Sequence, residues 1–263
     1  MLFEAIVLLV AILGGAIAAV TGFGIGSLLT PLLAVRIGTK LAVAAVTLPH
    51  LLATALRLWR LRADVDHHVL VRFGLFSAAG GLCGALLHGY VSGSVVRITF
   101  GALLVFAGLM GLTGWGDRLR FPPRLTSLAG WGDRLRFPPR LTSLAGFVSG
   151  ALGGLAGTQG GIRAAALMGT DLSKTAFIAT ATATGLIVDL ARSPVYLATQ
   201  WRELLAVWPL IAWAAAGALI GTLLGERLLR WIPEHLFRRL VSALILLLGL
   251  TMILLPQVKA LNS

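Results

Sequence analysis

Charge is scarce in this sequence. Asp, Glu, Lys and Arg make up 12% of its 263 residues, about half the roughly 25% usual in soluble domains. A soluble fold of this length could not cover its surface with so few charges. With 57% hydrophobic residues and a mean hydropathy of +0.91, much of the chain has lipid as its solvent. Cysteine is nearly absent: Cys83 stands alone inside an apolar segment, which excludes an intrachain disulfide and a thiolate metal site. Lysine-rich runs and basic–aromatic alternation are missing too, and this argues against a nucleic-acid partner. No phosphate-binding P-loop is present, so an ATP-driven pump would need another chain. Glu4 is the only charge before Arg36. Without a basic n-region, and with an apolar run too long for a signal peptide, this start is expected to be a retained membrane segment.

The charges that are present lean one way. Lys and Arg number 22 against 10 Asp and Glu, a formal net charge of +12. In a membrane protein such an excess first marks cytoplasmic loops; it also attracts an anionic substrate. Hydrophobic stretches fall at about 2–36, 40–56, 69–90, 94–113, 143–169, 175–198, 204–225 and 236–255. Most reach the ~20 residues of a bilayer span. The first and fifth are longer, and a glycine cluster cuts each in two.

An internal repeat joins the halves. At an offset of 135, Gly15 falls on Gly150, Gly22 on Gly157, Gly26 on Gly161, Thr47 on Thr182 and Arg57 on Arg192. The offset drifts to 137 at Gly80 and Gly217, and to 141 at Gly108 and Gly249, as small loop insertions would cause. The expected fold is therefore all-α and polytopic: about eight segments in two homologous four-segment halves, 1–113 and 146–263, each opening with a glycine-broken, re-entrant helix pair. Between them, GWGDRLRFPPRLTSLA occurs twice in tandem, at 114–129 and 130–145. Arginines and a helix-stopping Pro-Pro pair mark this as a hydrophilic linker.

The breaks carry the functional signal. The first reads TGFGIGSLLTPLL from Thr21, and the second AGTQGGIRAAAL from Ala156. Each glycine weakens a helix by about 1 kcal/mol relative to alanine. An unwound backbone survives at membrane depth only when buried in protein or lining a wet cavity. Close helix packing explains Gly80, Gly81 and Gly84. It explains Gly22, Gly24 and Gly26 poorly, because a spacing of two does not keep to one helical face. Two breaks at matching positions point to a transporter's substrate site. The half-helices beginning there aim free N–H groups and positive dipole ends into the gap, which suits an anion. The expected substrate-binding residues are Thr21, Gly22, Phe23, Gly24, Ile25, Gly26 and Ser27 with Gly157, Thr158, Gln159, Gly160, Gly161 and Arg163. The planar fork of Arg163 fits a sulfur oxyanion, sulfonate or carboxylate; a guanidinium snorkelling to the interface is the plainer reading. Thr47, His50, Thr182, Asp189 and Arg192 are candidates for lining or coupling. His50 could relay a proton or merely bond a neighbouring helix. Asp189 and Arg192 share a helical face and could simply pair.

The glycine-broken segments, the repeat and the size resemble the sulfite exporter TauE/SafE family of bacterial membrane permeases. The resemblance rests on Gly22, Gly24, Gly26 and Pro31, and on Gly150, Gly153, Gly154, Gly157, Gly160 and Gly161. Ile25 interrupts the first glycine core, Ala166 stands where the second half would repeat Pro31, and Gln159 and Arg163 fall outside the pattern. The resemblance implies secondary transport of sulfite, a sulfonate such as sulfoacetate, or a related small anion across the bacterial inner membrane, commonly outward. It implies no fixed cofactor and no enzymatic step. A coupling proton or sodium ion and a homodimer are further expectations.

Two other classes compete. GFVSG at 146–150 resembles the nucleophile motif of an intramembrane serine protease, but the only histidine after Ser149 is His235, beside Pro233 in a loop. A scaffold or assembly subunit would leave the paired breaks unexplained. The cluster Asp64, Asp66, His67 and His68 reads as a solvated loop and not as a metal site.

Basic residues choose between topologies. If both broken segments cross, the two sides hold 13 and 8 Lys and Arg. If both dip in and return, the halves are inverted. One side then holds Arg57, Arg60, Arg62, Arg72, six linker arginines, Lys174, Arg227, Arg230, Arg238 and Arg239, 15 in all; Arg36, Lys40, Arg97, Arg192, Arg202 and Lys259, 6 in all, face the other. The steeper asymmetry favours the inverted arrangement, with the 57–72 hairpin and linker cytoplasmic.

Overall fold

The computed structural model describes residues 2–22, 24–113, 139–158, 172–229 and 234–254, together with Gly160, Arg163 and Leu167. Phe23, Gln159 and Gly161 of the expected site, and most of the tandem repeat, lie outside the described residues. Among those described there is no strand. The helices are α1 (Leu2–Thr21), α2 (Ile25–Ile37), α3 (Thr39–Leu61), α4 (His67–Tyr90), α5 (Gly93–Thr113), α6 (Pro139–Ala156), α7 (Lys174–Ala206), α8 (Trp208–Leu229) and α9 (Glu234–Leu254). Five are long and apolar enough to cross a membrane: α1, α3 extended to Asp64, α4, α5, and α8 as far as Gly225. Shorter apolar helices are α2, Leu141–Ala156 of α6 and Arg239–Leu254 of α9. The chain is thus a helical, multi-pass membrane protein. Its outer surface is apolar, with Leu9, Val35, Leu86 and Leu247 exposed, as a lipid-facing surface requires.

Glycine ends the broken helices. Gly22 closes α1 with φ +85° and an N–H bond to the Ala18 carbonyl at 2.9 Å; Gly157 closes α6 with φ +83° and the same bond to Gly153 at 2.9 Å. This left-handed cap favours a residue without a Cβ. Polar caps open other helices. Ser173 Oγ accepts from the Ala176 N–H at 3.2 Å, and Asp66 Oδ1 accepts from the Val69 N–H at 2.9 Å. Asp66 is therefore a helix cap. Pro139 occupies the first turn of α6, where its missing N–H costs nothing, and α6 takes in residues 139–145 of the segment expected to be linker.

Three helix pairs pack backbone to backbone: α1 along α8, α4 along α6, and α5 along α9. Glycine makes the contact in each. A Cβ on Gly221 would stand 2.0 Å from the Ile12 carbonyl oxygen, and one on Gly84 2.0 Å from that of Ala151. The contact order gives direction. Gly217 meets Leu8 and Gly225 meets Ala16, so α1 and α8 are parallel; Gly80 meets Phe147 and Gly84 meets Ala151, so α4 and α6 are parallel. Gly101 meets Gly249 and Gly111 meets Ser242, so α5 and α9 are antiparallel. α2 doubles back along α1: Ile25 lies against Gly14, and the Arg36 guanidinium sits 4.9 Å above the Phe3 ring. α3 and α7 run antiparallel through the centre, joined by side-chain bonds from Arg57 to Thr182 and from His50 to Asp189.

Candidate functional site

The two glycine breaks meet in the interior. A Cβ on Gly26 would stand 3.2 Å from the carbonyl oxygen of Gly157, so the breaks touch directly. Between them is a cavity of about 20 Å³, lined by Gly24, Gly26, Ser27, His50, Gly157, Thr158, Gly160, Arg163 and Arg192. This is near the minimum space for one water. α2 begins at Ile25 after Gly24, with no side-chain cap. The first N–H groups of a helix have no intrahelical partner, and here they open beside Gly24, Gly26 and Ser27 on the cavity wall.

Two guanidinium groups, of Arg163 and Arg192, line this space, and that of Arg57 stands at the end of α1. Arg163 is 2% exposed, and its Nη1 is buried without a hydrogen-bond partner among the described residues. It lies against Gly185, whose added Cβ would stand 2.8 Å from that nitrogen. Arg57 and Arg192 are also buried. The basic-residue count from sequence places both in loops, because an arginine at the end of an apolar run usually reaches for the interface; the structure instead turns both inward onto helix ends. Arg57 donates through Nη1 to the Ala18 carbonyl, through Nη2 to the Gly22 carbonyl at 3.4 Å and through Nε to Thr182 Oγ1 at 2.9 Å. Arg192 donates through Nη1 to the Gly153 carbonyl at 2.7 Å. Arg57 and Arg192, and Ala18 and Gly153, stand at the same offset of 135. Each arginine therefore adds a second donor to the carbonyl that the glycine N–H already caps, at the negative end of its own broken helix.

One carboxylate balances the group. Asp189 is fully buried; its Oδ1 accepts Nε and Nη2 of Arg192 at 3.1 and 2.8 Å, and its Oδ2 lies 2.5 Å from His50 Nδ1. The sequence-derived pairing of Asp189 with Arg192 is present. Other expected residues stand back from the cavity. Thr21 Oγ1 donates to the Ile17 carbonyl at 3.0 Å, Thr47 Oγ1 to that of Val43 at 3.0 Å, and Thr182 Oγ1 to that of Ile178 at 2.6 Å. Ile25 is buried in the apolar core, and Gly22 sets the turn without lining the cavity.

Sequence reasoning missed His88 and Tyr196. His88 Nδ1 donates to the Leu155 carbonyl at 2.7 Å, and Tyr196 Oη donates to that of Gly154. Their rings meet edge to face at 5.2 Å. They finish the cap that Arg192 begins on α6. A buried tyrosine four residues after an intramembrane arginine was the available signal. A second, open basin of about 660 Å³ is lined by Lys40, Tyr90, Val195, Thr199 and Gln200, among others. Lys40 Nζ there donates to the Gly89 and Val91 carbonyls at 3.1 and 3.0 Å. Arg192, on the cavity wall, is one helical turn from Val195.

No group of three or more His, Cys, Asp or Glu that could hold a metal occurs among the described residues. A family model described as "Sulfite exporter TauE/SafE" matches residues 7–252. No curated protein and no solved structure matches the chain.

Proposed function

The chain belongs to the sulfite exporter TauE/SafE family, and from that premise we propose that it is a secondary transporter for a small sulfur-containing or organic anion in the bacterial inner membrane, working in the export direction. One observation carries this reading: both glycine breaks line one cavity, beside a buried, unpaired Arg163 nitrogen. Bare backbone N–H groups and a guanidinium fork together suit sulfite, sulfonate or carboxylate oxygens. The expected contacts are the backbone at 22–27 and 157–162 with Arg163. At about 20 Å³ the cavity is too small for a sulfur oxyanion, so in this reading the surrounding helices part toward one side at a time.

The same reading takes the halves as inverted repeats around the cavity. Three features support it. α2 returns along α1, so that Arg36 lies near Phe3. α1 pairs with α8 as α6 pairs with α4, both parallel, and the equivalent α5 and α9 are antiparallel. Arg57 and Arg192 are buried, which takes one from each side of the basic-residue count and leaves 14 against 5; the 57–72 hairpin and the linker are then cytoplasmic.

Two experiments test the proposal. Proteoliposomes holding the full chain are offered sulfite, sulfoacetate, methanesulfonate and sulfate; protein-dependent flux of at least one is expected, and flux of none rejects transport. In a Cys83→Ser background, cysteines placed at residues 3 and 130 should react from opposite faces. Reaction from one face eliminates the inverted arrangement.

A further inference from the structure

We propose that His50 and Asp189 form a proton site that loads together with the anion, so that one proton travels with each anion; this rests on the transport reading above. His50 follows Pro49 in α3 and lines the cavity with Gly26, Ser27 and Arg163. Asp189 lies behind it, wholly buried, one oxygen held twice by Arg192 and the other 2.5 Å from His50 Nδ1. A carboxylate anchored in this way acts as an acceptor and sets the tautomer of a neutral imidazole: Nδ1–H donates to Oδ2, and Nε2 keeps the lone pair. The ring thus has one basic nitrogen to offer, on a side chain that reaches the cavity.

The charges around the ring give the coupling. Asp189 and Arg192 face it from α7. Thr54 and Arg57 stand below it on α3, with Thr54 Oγ1 3.5 Å from Nδ1. Arg163 faces it across the cavity. The ionisable side chains described on the other helices packed against α3 lie elsewhere: Arg36 on the Phe3 ring, Arg97 on the Met252 and Ile253 carbonyls, and Arg227 exposed. Three guanidiniums oppose one carboxylate, so a proton arriving alone adds to an uncompensated positive charge. An anion arriving beside Arg163 reverses that balance. Anion and proton then attract one another across a small, water-poor space, and by linkage each raises the other's affinity by the same factor. The proton comes from water on the loading side, forms the Nε2–H bond, and returns to water on the releasing side. A sodium ion would meet the same positive charge without a bond to Nε2, and no carboxylate is among the described residues that line the cavity.

The test uses full-length protein in sodium-free liposomes with the potential clamped, a pH dye inside, and sulfoacetate as the probe. An inward sulfoacetate gradient should acidify the lumen with about one proton per anion. In His50→Gln that ratio should fall to near zero, whatever the remaining flux. Sulfoacetate flux without acidification, an unchanged ratio in His50→Gln, or a requirement for sodium overturns the proton site and leaves transport standing. The wild-type measurement decides the first of these even if the variant does not fold. Absence of flux for every anion of the panel removes the transport reading and this inference with it.

Discussion

The two breaks share a backbone and differ in what holds it. At each, a glycine near φ +85° closes the helix onto the carbonyl four residues back, and a buried arginine donates to that same carbonyl. Beyond this the surroundings diverge. Arg57 has a threonine hydroxyl for a partner, whereas Arg192 has the Asp189 carboxylate. The final carbonyls of α6 are taken by Tyr196 and His88; at the end of α1 the neighbouring backbone at Ala16 lies against Gly225 instead. Arg163 stands past the second break, where the matched position after the first is Leu28. The two ends thus share their turn geometry and differ in how the arginine is held: Arg192 is paired with a carboxylate and Arg57 is not.

The largest expected effect comes from removing the arginines. Arg192→Ala leaves Asp189 buried without its main partner, and breaking a buried pair costs about 3–5 kcal/mol. Arg57→Ala leaves the Ala18 carbonyl its Gly22 N–H and the Thr182 hydroxyl its bond to Ile178, so the main loss is the donor to the Gly22 carbonyl, a neutral group costing about 1–3 kcal/mol. Thermal unfolding in detergent should therefore rank Arg192→Ala well below Arg57→Ala; equal losses would mean that the Asp189 contact adds nothing. Next is Arg163, which has no counterpart in the first half. Arg163→Ala should weaken anion affinity by roughly 10- to 100-fold, the equivalent of about 1.5–3 kcal/mol for a charged hydrogen bond, with Arg163→Lys intermediate. Unchanged affinity for every anion would confine recognition to the backbone.

Glycine replacements give a smaller contrast. Gly22→Ala and Gly157→Ala both force an L residue to positive φ, at about 1–2 kcal/mol. The added methyl at Gly22 meets nothing within 4 Å, while at Gly157 it would stand 2.8 Å from Val43 Cγ1. Gly157→Ala should be the less stable by about 1 kcal/mol or more, and identical melting temperatures would show that Val43 gives way freely. The smallest effect is expected from deleting residues 114–129, one copy of the duplication. Melting temperature and flux should stay within error, because connecting segments tolerate length change; loss of either would show the linker bearing on the helices.

Much of this comparison was legible beforehand. Glycine spacing exposed both breaks, and the offset of 135 already aligned Gly22 with Gly157 and Arg57 with Arg192. Hydropathy found the apolar stretches, and the gap between 175–198 and 204–225 holds a kink in α7 at Gln200, where φ is −134° and ψ 24°. The inward turn of Arg57 was not legible. Sequence shows that an arginine stands at the end of an apolar run, but not that the end of another helix waits there inside the protein. His88 and Tyr196 escaped for a related reason: their partners are backbone carbonyls, and beyond the spacing of Tyr196 from Arg192 residue identity does not point to them. The meeting of Gly26 with Gly157 depends on helices far apart in the chain, and spacing along one segment cannot report it.

The pairing of α1 with α8 also has a bearing on biosynthesis. α1 leaves the ribosome some 200 residues before the glycine face that fits it, Gly217, Gly221 and Gly225. α4 waits in the same way for α6. Until α8 is made, the face of α1 around Gly15 has only lipid or a passing helix to fill it. The membrane must therefore hold an unfinished bundle while the intervening helices are made, and α1 meets its α8 partner only after them.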